Sequence, residues 1–361
     1  MIANCRQNLQ DIVKKPTING LAEWLQSEDE CHEQLVQQAG ETRRRVIENK
    51  VYFRGIVEFS NICRNDCLYC GIRRSNTNFD RYWLSEQEIL ECVAFCDLAG
   101  YGSVVLQSGE QKTDAFLSFV ENTVKRIKQE FPDLGITLCV GEQSEDTYRR
   151  FFDAGAHRYL LRIESSVPAH YAALHPPDMK FEQRKSCLES LKQIGFQTGT
   201  GVMIGAPGQT YEYLARDLLF IRNMDVDMVG MGPYIAHDEA PLKVTGFSEE
   251  ERLRTSLNMI ALLRLLMPDI NIAATTALQA LDPQGREMGL KAGANVIMPI
   301  ATPRDYREAY LLYENKPCVN ESSEDCRHCI TGRIKSAGFI PVFNEWGDSP
   351  HYFNRTLKEV S

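Results

Sequence analysis

No stretch of this sequence offers the roughly 18–20 consecutive apolar residues that a membrane-spanning helix needs, although 43% of its 361 residues are apolar. Positive charge is also short. Lys and Arg number 40 against 49 Asp and Glu, a net charge of −9, so neither nucleic acid nor an anionic membrane is an expected partner. The opening Met1-Ile-Ala-Asn-Cys-Arg-Gln turns polar at once and has no apolar signal core; the cytoplasm is therefore the expected location. Neither Gly-x-Gly-x-x-Gly nor a P-loop occurs, and Gly199, Gly201 and Gly205 have the wrong spacing. That argues against an open doubly wound, nucleotide-binding sheet. Cysteine, by contrast, is in surplus. Twelve cysteines in a reducing compartment point to metal more than to disulfides.

From Val51 onward a rhythm sets in. Short β-branched or apolar runs at 51–59, 103–107, 136–140, 158–163, 198–204, 228–233, 272–276 and 295–299 alternate with amphipathic stretches. The helical patterns include 85–99, 113–130, 182–194, 210–223, 248–267 and 283–292, with a capping box at Ser85 and Glu88 and stop signals at Gly100, Gly195 and Gly293. Eight such units predict an α/β fold, a complete (β/α)8 TIM-type barrel over residues 51–300. Residues 1–50 read as a helical N-terminal extension. Residues 301–361 read as a C-terminal extension laid against the barrel and carrying a second cysteine cluster.

Just after the first strand comes Cys63-Arg-Asn-Asp-Cys67-Leu-Tyr-Cys70. Three thiolates at this spacing can curl around one metal centre. Structural zinc would want a fourth Cys or His, and Cys92 and Cys96 fall on a predicted helix. An iron–sulfur cube held by three cysteines instead leaves one iron open to a ligand. The spacing, with an aromatic before the last cysteine, resembles the radical S-adenosylmethionine (radical SAM) superfamily. That resemblance implies a 4Fe-4S cluster whose open iron binds SAM. One electron then cleaves SAM to methionine and a 5′-deoxyadenosyl radical. The mouth of the barrel, at the C-terminal ends of its strands, is where such a site belongs.

Other residues at the same end fit. Gln107-Ser108-Gly109-Glu110 offers carbonyls and a carboxylate to an ammonium group, or is a plain βα turn. On strand four Arg162 and Glu164 face one way; Glu164 suits a ribose diol and Arg184 a ligand carboxylate, or they form an internal salt bridge. The stretches 54–63, 105–110, 158–164, 203–210, 227–233, 274–277 and 293–299 resemble, in order, the FeFe-hydrogenase maturase family HydE, in the group with biotin synthase and methylornithine synthase. The resemblance implies work on the diiron subcluster of FeFe-hydrogenase, on a small iron–cysteine complex handed over by HydG. HydF-like maturation proteins and a one-electron donor such as ferredoxin or flavodoxin are the further implied partners. By matching motifs the SAM shell is Tyr69, Ser108, Gly109, Glu110, Glu164 and Arg184, with Cys139 close by. The substrate cavity is Met228, Thr275, Thr276, Met298 and Tyr310; barrel filling is the bland alternative for the methionines. The chain departs from the family pattern at Ile163, where a His is common, at Cys139, where a Ser is, and at Ser165. Biotin synthase holds a further cluster on cysteines at several strand ends, and only Cys139 qualifies here. A radical mutase or a paralogue acting on another small molecule is the alternative reading, and a non-enzymatic iron–sulfur scaffold a lesser one.

Cys318, Cys326 and Cys329 gather three more thiolates, with His328 and Cys187 as conceivable extras. Some members of the resembling family carry an accessory iron–sulfur centre there (2Fe-2S or 4Fe-4S), and a zinc knuckle is the alternative. Cys5, Cys31, Cys92, Cys96 and Cys187 read as mostly buried filler.

Overall fold

The computed structural model describes residues 8–360; Cys5 lies outside them. Eight parallel strands follow one another around a curled sheet: β1 (Lys50–Ser60), β2 (Ser103–Ser108), β3 (Gly135–Cys139), β4 (Arg158–Leu160), β5 (Gln197–Thr200), β6 (Met228–Val229), β7 (Asn271–Ile272) and β8 (Val296–Ile297). β8 returns to β1, with Tyr52 opposite Val296 and Phe53 opposite Ile297. The expected complete barrel is met as a near-barrel. Between β7 and β8 the ladder thins to one bridge, Ala273 to Val296, where Ala274 N–H donates to Val296 O at 2.9 Å. Strands late in the chain are short where glycine brings backbones together. A Cβ on Gly201 of the β5 end would run into the backbone of Gly230 beyond β6, so pleated side-chain packing gives way to close approach there.

Alternation along β1 sorts its two faces. Val51, Phe53, Val57 and Phe59 are buried outward under the helices; Phe59 stacks on Phe116 of helix Asp114–Glu130, with ring centroids 6.1 Å apart. Arg54 and Glu58 turn inward, Arg54 reaching Met228 Sδ of β6 at 2.9 Å. Helix boundaries fall where the caps were expected. Ser85 and Glu88 form the reciprocal capping box of helix Glu86–Leu98, and Gly195 ends helix Phe181–Ile194 at φ 109°, a conformation that a side chain would disfavour. The N-terminal helices Leu9–Lys14, Ile18–Leu25 and Asp29–Ile47 pack outside; Arg43 of the third donates to Ala294 O at 2.9 Å and Lys50 O at 2.9 Å. No helix among the described residues is long and apolar enough to cross a membrane.

The C-terminal segment does more than lie against the barrel. A ninth strand, β9 (Ile340–Val342), pairs in parallel with Lys50–Tyr52 of β1, and the chain then crosses the N-terminal ends of the barrel strands. Buried polar groups explain why. Arg54, Arg158, Gln197 and Asn271 all point into that end and need partners. Arg158 donates to Trp346 O at 2.6 Å and pairs with Asp348. Asn271 and Arg54 donate to Gly347 O at 2.8 and 3.3 Å, and Gln197 accepts from Ser349 N–H at 3.1 Å.

A clasp holds the helix that follows. His351 reaches Asp269 and Asp225, each at 2.9 Å, while Arg355 reaches Asp227 at 2.9 Å. Burial would lower the His351 pKa, but hydrogen bonding to Asp269 and the charges of Asp269 and Asp225 raise it. A raised folded pKa means a contribution that is full below the free-imidazole value of about 6.5 and is lost as pH climbs through the folded value. Chemical denaturation should therefore show His351→Gln costing more stability at pH 6 than at pH 8. Equal cost at both would mean the imidazole acts only by packing.

Candidate active site

At the C-terminal end of β1 the chain leaves regular structure for residues 61–82. That loop is held from within. Arg81 donates to the carbonyls of Asn61 (2.6 Å), Ile72 (2.8 Å), Arg73 (2.6 Å) and Asn76 (2.9 Å). Asn61 ties the loop to Asp80 O at 2.8 Å and Ala309 O at 2.7 Å. A cation ringed by four carbonyls is a fixed frame, and Cys63, Cys67 and Cys70 sit on it, each half-buried. Their sulfurs do not all converge to within 4.8 Å, as the ligands of a single small ion would. Burial pushes the Cys70 thiol up to about 12, with the neighbouring Cys63 adding to it, and raises Cys63 and Cys67 likewise. As thiolates the three would repel one another in a poorly solvated place, which is the environment a positively charged metal core relieves.

The β2 end packs directly on this loop. Gly109 lies against Ile62 and Cys63, where a Cβ would come within 2.8 Å of Cys63 Cβ, and its N–H donates to Ser60 O at 2.9 Å. Ser108 Oγ donates to Gly109 O at 2.8 Å. Glu110 O accepts from Arg64 N–H at 2.8 Å, and its carboxylate accepts from Glu142 N–H at 2.8 Å. This turn is thus part of the cysteine frame.

β4 ends at Leu160, earlier than its apolar pattern suggested. Beyond it the Thr200 hydroxyl replaces ladder bonds, donating to Leu161 O at 2.9 Å and accepting from Ile163 N–H at 3.2 Å, and Glu164 is a non-glycine residue in left-handed backbone at φ 61°, which costs on the order of 1 kcal/mol or more and often marks a functional site. Arg162 and Glu164 do share a side, paired at 2.9 Å. Arg184 meets Glu142 at 2.5 Å through Nε and Arg162 O at 2.6 Å through Nη1, so it braces the Arg162–Glu164 segment. Tyr69 meets His175 edge-on, OH to Nε2 at 3.3 Å; burial holds that imidazole neutral, its pKa lowered to about 3. Cys139 ends β3 half-buried, its thiol pushed up to about 12 by burial, with Arg162, Glu164 and Arg184 as the charges it feels. Ile163 is fully buried.

Inside the barrel, Met228 and Met298 line an apolar cavity with Arg54, Val105, Thr137 and Asn271. Thr275, Thr276 and Tyr310 do not line it. Thr276 Oγ1 meets Tyr313 OH at 2.7 Å, and the wholly buried Tyr310 accepts at its OH from Gln107 Nε2 at 3.3 Å. Thr275 Oγ1 donates to Met231 O at 3.4 Å.

Residues 57–221 match the model of the radical SAM superfamily. The chain is 42% identical over 324 residues to the FeFe hydrogenase maturase subunit HydE of Thermotoga maritima, covering 89% of this chain and 90% of that one. The chain belongs to the radical SAM superfamily, in the HydE family. It is 27% identical to 3-methylornithine synthase of Methanosarcina acetivorans over 88% of this chain and 87% of that one. The crystal structure of methylornithine synthase PylB superposes with a TM-score of 0.80 at 26% identity, over 93% of this chain and 98% of that one. The maturase HydG of Carboxydothermus hydrogenoformans superposes with a TM-score of 0.79 at 21% identity, over 94% of this chain and 80% of that one, a likeness of fold.

A radical SAM enzyme uses a 4Fe-4S cluster and SAM, and the donors here fit the cluster: three half-buried thiols, mutually repelling once ionised, on a rigid loop at the barrel mouth. Sequence reasoning missed Arg81 and Glu142, which hold this frame, and a buried ion pair beside it. Glu58 of β1 and Lys316 meet at 2.6 Å with side chains 3% and 7% exposed. Lys316 also donates to Tyr310 O at 3.1 Å, while Glu58 Oε2 has no partner. The inward register of Arg54 and Glu58 on β1 was a signal for the carboxylate; nothing in the irregular segment around Lys316 pointed to its partner.

In the radical SAM chain's second cysteine group the expected trio is only partly assembled. Cys318, Cys326 and Glu321 offer ligand atoms within 4.8 Å of one another. Cys329, one turn along helix Ser323–Ser336 from the buried Cys326, is exposed, as is His328. Cys187 is buried against Gln143 O at 3.8 Å. The Cys318 thiol is pulled down to about 6 by a hydrogen bond from Cys326, against burial, with Arg286 beside it. Cys326→Ala is expected to lower bound metal at this group while SAM cleavage with a chemical reductant continues; iron analysis and 5′-deoxyadenosine release check both, and loss of cleavage would make this group part of the catalytic machinery.

Proposed function

We propose that this radical SAM enzyme acts in building the diiron subcluster of FeFe-hydrogenase, on a small iron–cysteine complex. The observation that carries the reading is the 42% identity to the Thermotoga maritima maturase over 89% of this chain. When bound, a 4Fe-4S cluster would supply the one electron that splits SAM into methionine and a 5′-deoxyadenosyl radical. The chain's own part is placement and exclusion of water. Cys63, Cys67 and Cys70 hold the cluster. The carbonyls of the Ser108–Gly109–Glu110 turn take the methionyl ammonium, and Glu164, fixed by its backbone and by Arg162, takes the ribose hydroxyls. Tyr69 and Cys139 flank that place, and Arg184 steadies it through the Arg162 carbonyl. Met228 and Met298 give the deeper cavity soft, apolar walls. No general base is needed for a radical step. HydG-like and HydF-like proteins would stand before and after it, and ferredoxin or flavodoxin would supply the electron. A Cys318–Cys326 centre would be accessory.

The test is in vitro maturation of apo-hydrogenase with the HydE component replaced by this protein. Hydrogen evolution is the expected result. SAM cleavage without maturation would shift weight to a second reading, an amino-acid mutase of the methylornithine synthase kind. The 27% identity to 3-methylornithine synthase over 88% of this chain is what supports that alternative. Consumption of a free amino acid together with SAM, followed by mass spectrometry, would then be its signature.

A further inference from the structure

Glu164 is held in a backbone shape that a side chain disfavours. Ser165 N–H donates to Ile163 O at 2.8 Å, which closes a three-residue turn around Glu164 at φ 61°. A turn of this hand is rare and strained. Backbone beyond β5 holds its front: Glu164 N–H donates to Gly201 O at 3.0 Å, and Glu164 O accepts from Met203 N–H at 3.2 Å. Two buried side chains from the helical layer hold its back. Asp217, on helix Tyr211–Met224, is wholly buried, and its Oδ1 accepts from Ser166 N–H at 2.6 Å. His170, on helix Pro168–Leu174, reaches Ser165 Oγ and Pro207 O, each at 3.0 Å. The Pro207 carbonyl can only accept, so Nε2 carries the imidazole proton and Nδ1 accepts from the Ser165 hydroxyl.

A carboxyl is a costly group for that place. Asp217 Oδ2 has no hydrogen-bond partner, and burial pushes the acid up to about 7, against hydrogen bonds from Ser166 and with the Glu164 charge adding to the rise. A buried carboxyl with one oxygen unpaired weakens the fold, so packing alone does not account for it. What it provides is an acceptor aimed at the second residue past Glu164. We propose that Asp217 is a positioning residue for SAM: through Ser166 it keeps the strained turn closed, and so holds the Glu164 carboxylate where the ribose hydroxyls bind. His170, through Ser165, is the second tie. The proposal rests on the reading of Glu164 as the ribose ligand. Without the Asp217 acceptor, Ser166 N–H loses its partner and the turn relaxes by rotation of the Glu164 backbone. SAM then binds only those molecules whose turn is still closed, and the apparent affinity falls by that fraction. The bond needs a carbonyl-type oxygen, not a charge, so an amide serves in its place.

The test is equilibrium dialysis of SAM against the full-length, reconstituted and unreduced enzyme, in which no cleavage competes with binding. Asp217→Ala and the branched Asp217→Leu, which lack the acceptor, are expected to weaken SAM binding ~10-fold. Asp217→Asn should restore it to within ~2-fold of the natural protein. In a Glu164→Ala background, Asp217→Ala should cost nothing further, since the two residues act as one unit. Hydrogen exchange of the SAM-free protein gives a second readout that needs no ligand: amides of residues 163–167 should exchange faster in Asp217→Ala and at the natural rate in Asp217→Asn. Faster exchange with SAM affinity unchanged would overturn the proposal and leave Glu164 as the ribose ligand. Equal losses from Asp217→Ala with and without Glu164 would also overturn it, because Asp217 would then act through the fold at large. Full SAM affinity in Glu164→Ala alone would instead remove the ribose reading on which the proposal stands.

Discussion

Alanine at Cys63, Cys67 or Cys70 is expected to abolish 5′-deoxyadenosine formation while leaving the fold in place. The loop does not depend on its sulfurs for shape: Arg81 and Asn61 hold it through backbone carbonyls. Cys67 Sγ has Met179 Sδ as a neighbour at 3.6 Å, and Cys63 Sγ accepts one weak bond from Asn65 N–H at 3.4 Å. Removing any one thiolate takes away a third of the protein's hold on the cluster, and a cube held at two corners is readily lost. Iron and sulfide should fall in each variant, the dithionite-driven reaction should drop to the enzyme-free background, and the far-ultraviolet circular dichroism should match the natural protein. Cys92→Ser and Cys187→Ser are the controls. Both sulfurs are buried in helices away from the loop, so these variants should lose some stability and keep the chemistry. Turnover surviving in any of the three loop variants would detach the chemistry from this loop.

How far the sequence foretold this site depends on what each residue leans on. The cysteine loop was legible because its spacing and its place after a β-branched run are both local. Strand starts were legible for the same reason. Strand ends were not: the apolar pattern runs to Ile163, yet the backbone turns at Glu164 into a conformation that no periodicity announces. Likewise Thr276, expected to end a strand, opens helix Thr276–Leu281. The segment 343–349 has no pattern of its own. Its role could have been anticipated from the opposite side, since Arg158 and Gln197 turned inward without a partner on the strands and Arg54 met only the Met228 thioether there. The second cysteine group failed in part because helix geometry intervenes: three residues on from the buried Cys326, the helix carries Cys329 out to solvent.

Lys316→Ala is expected to destabilise the protein by roughly 3–5 kcal/mol, far more than a surface lysine would, because it strands the Glu58 carboxylate. The pair is shut in: 3% and 7% of the two side chains are exposed. Even with the ammonium in place, burial raises the Glu58 pKa, and the Lys316 charge only partly offsets it. The sign of the pH dependence follows. A carboxyl with a raised folded pKa binds more protons folded than unfolded above about pH 4.5, so its contribution to stability worsens as pH rises through the folded value. Without Lys316 that folded value moves higher still. Urea denaturation should therefore find the variant most impaired at pH 8 and partly recovered at pH 5.5. Adding Glu58→Gln should restore most of the loss, since the amide removes the stranded charge. Recovery by the double variant with no return of turnover would give the pair a part in substrate handling as well as in packing. A loss of only a few tenths of a kcal/mol in Lys316→Ala, flat with pH, would mean that the segment lifts away and lets water reach Glu58.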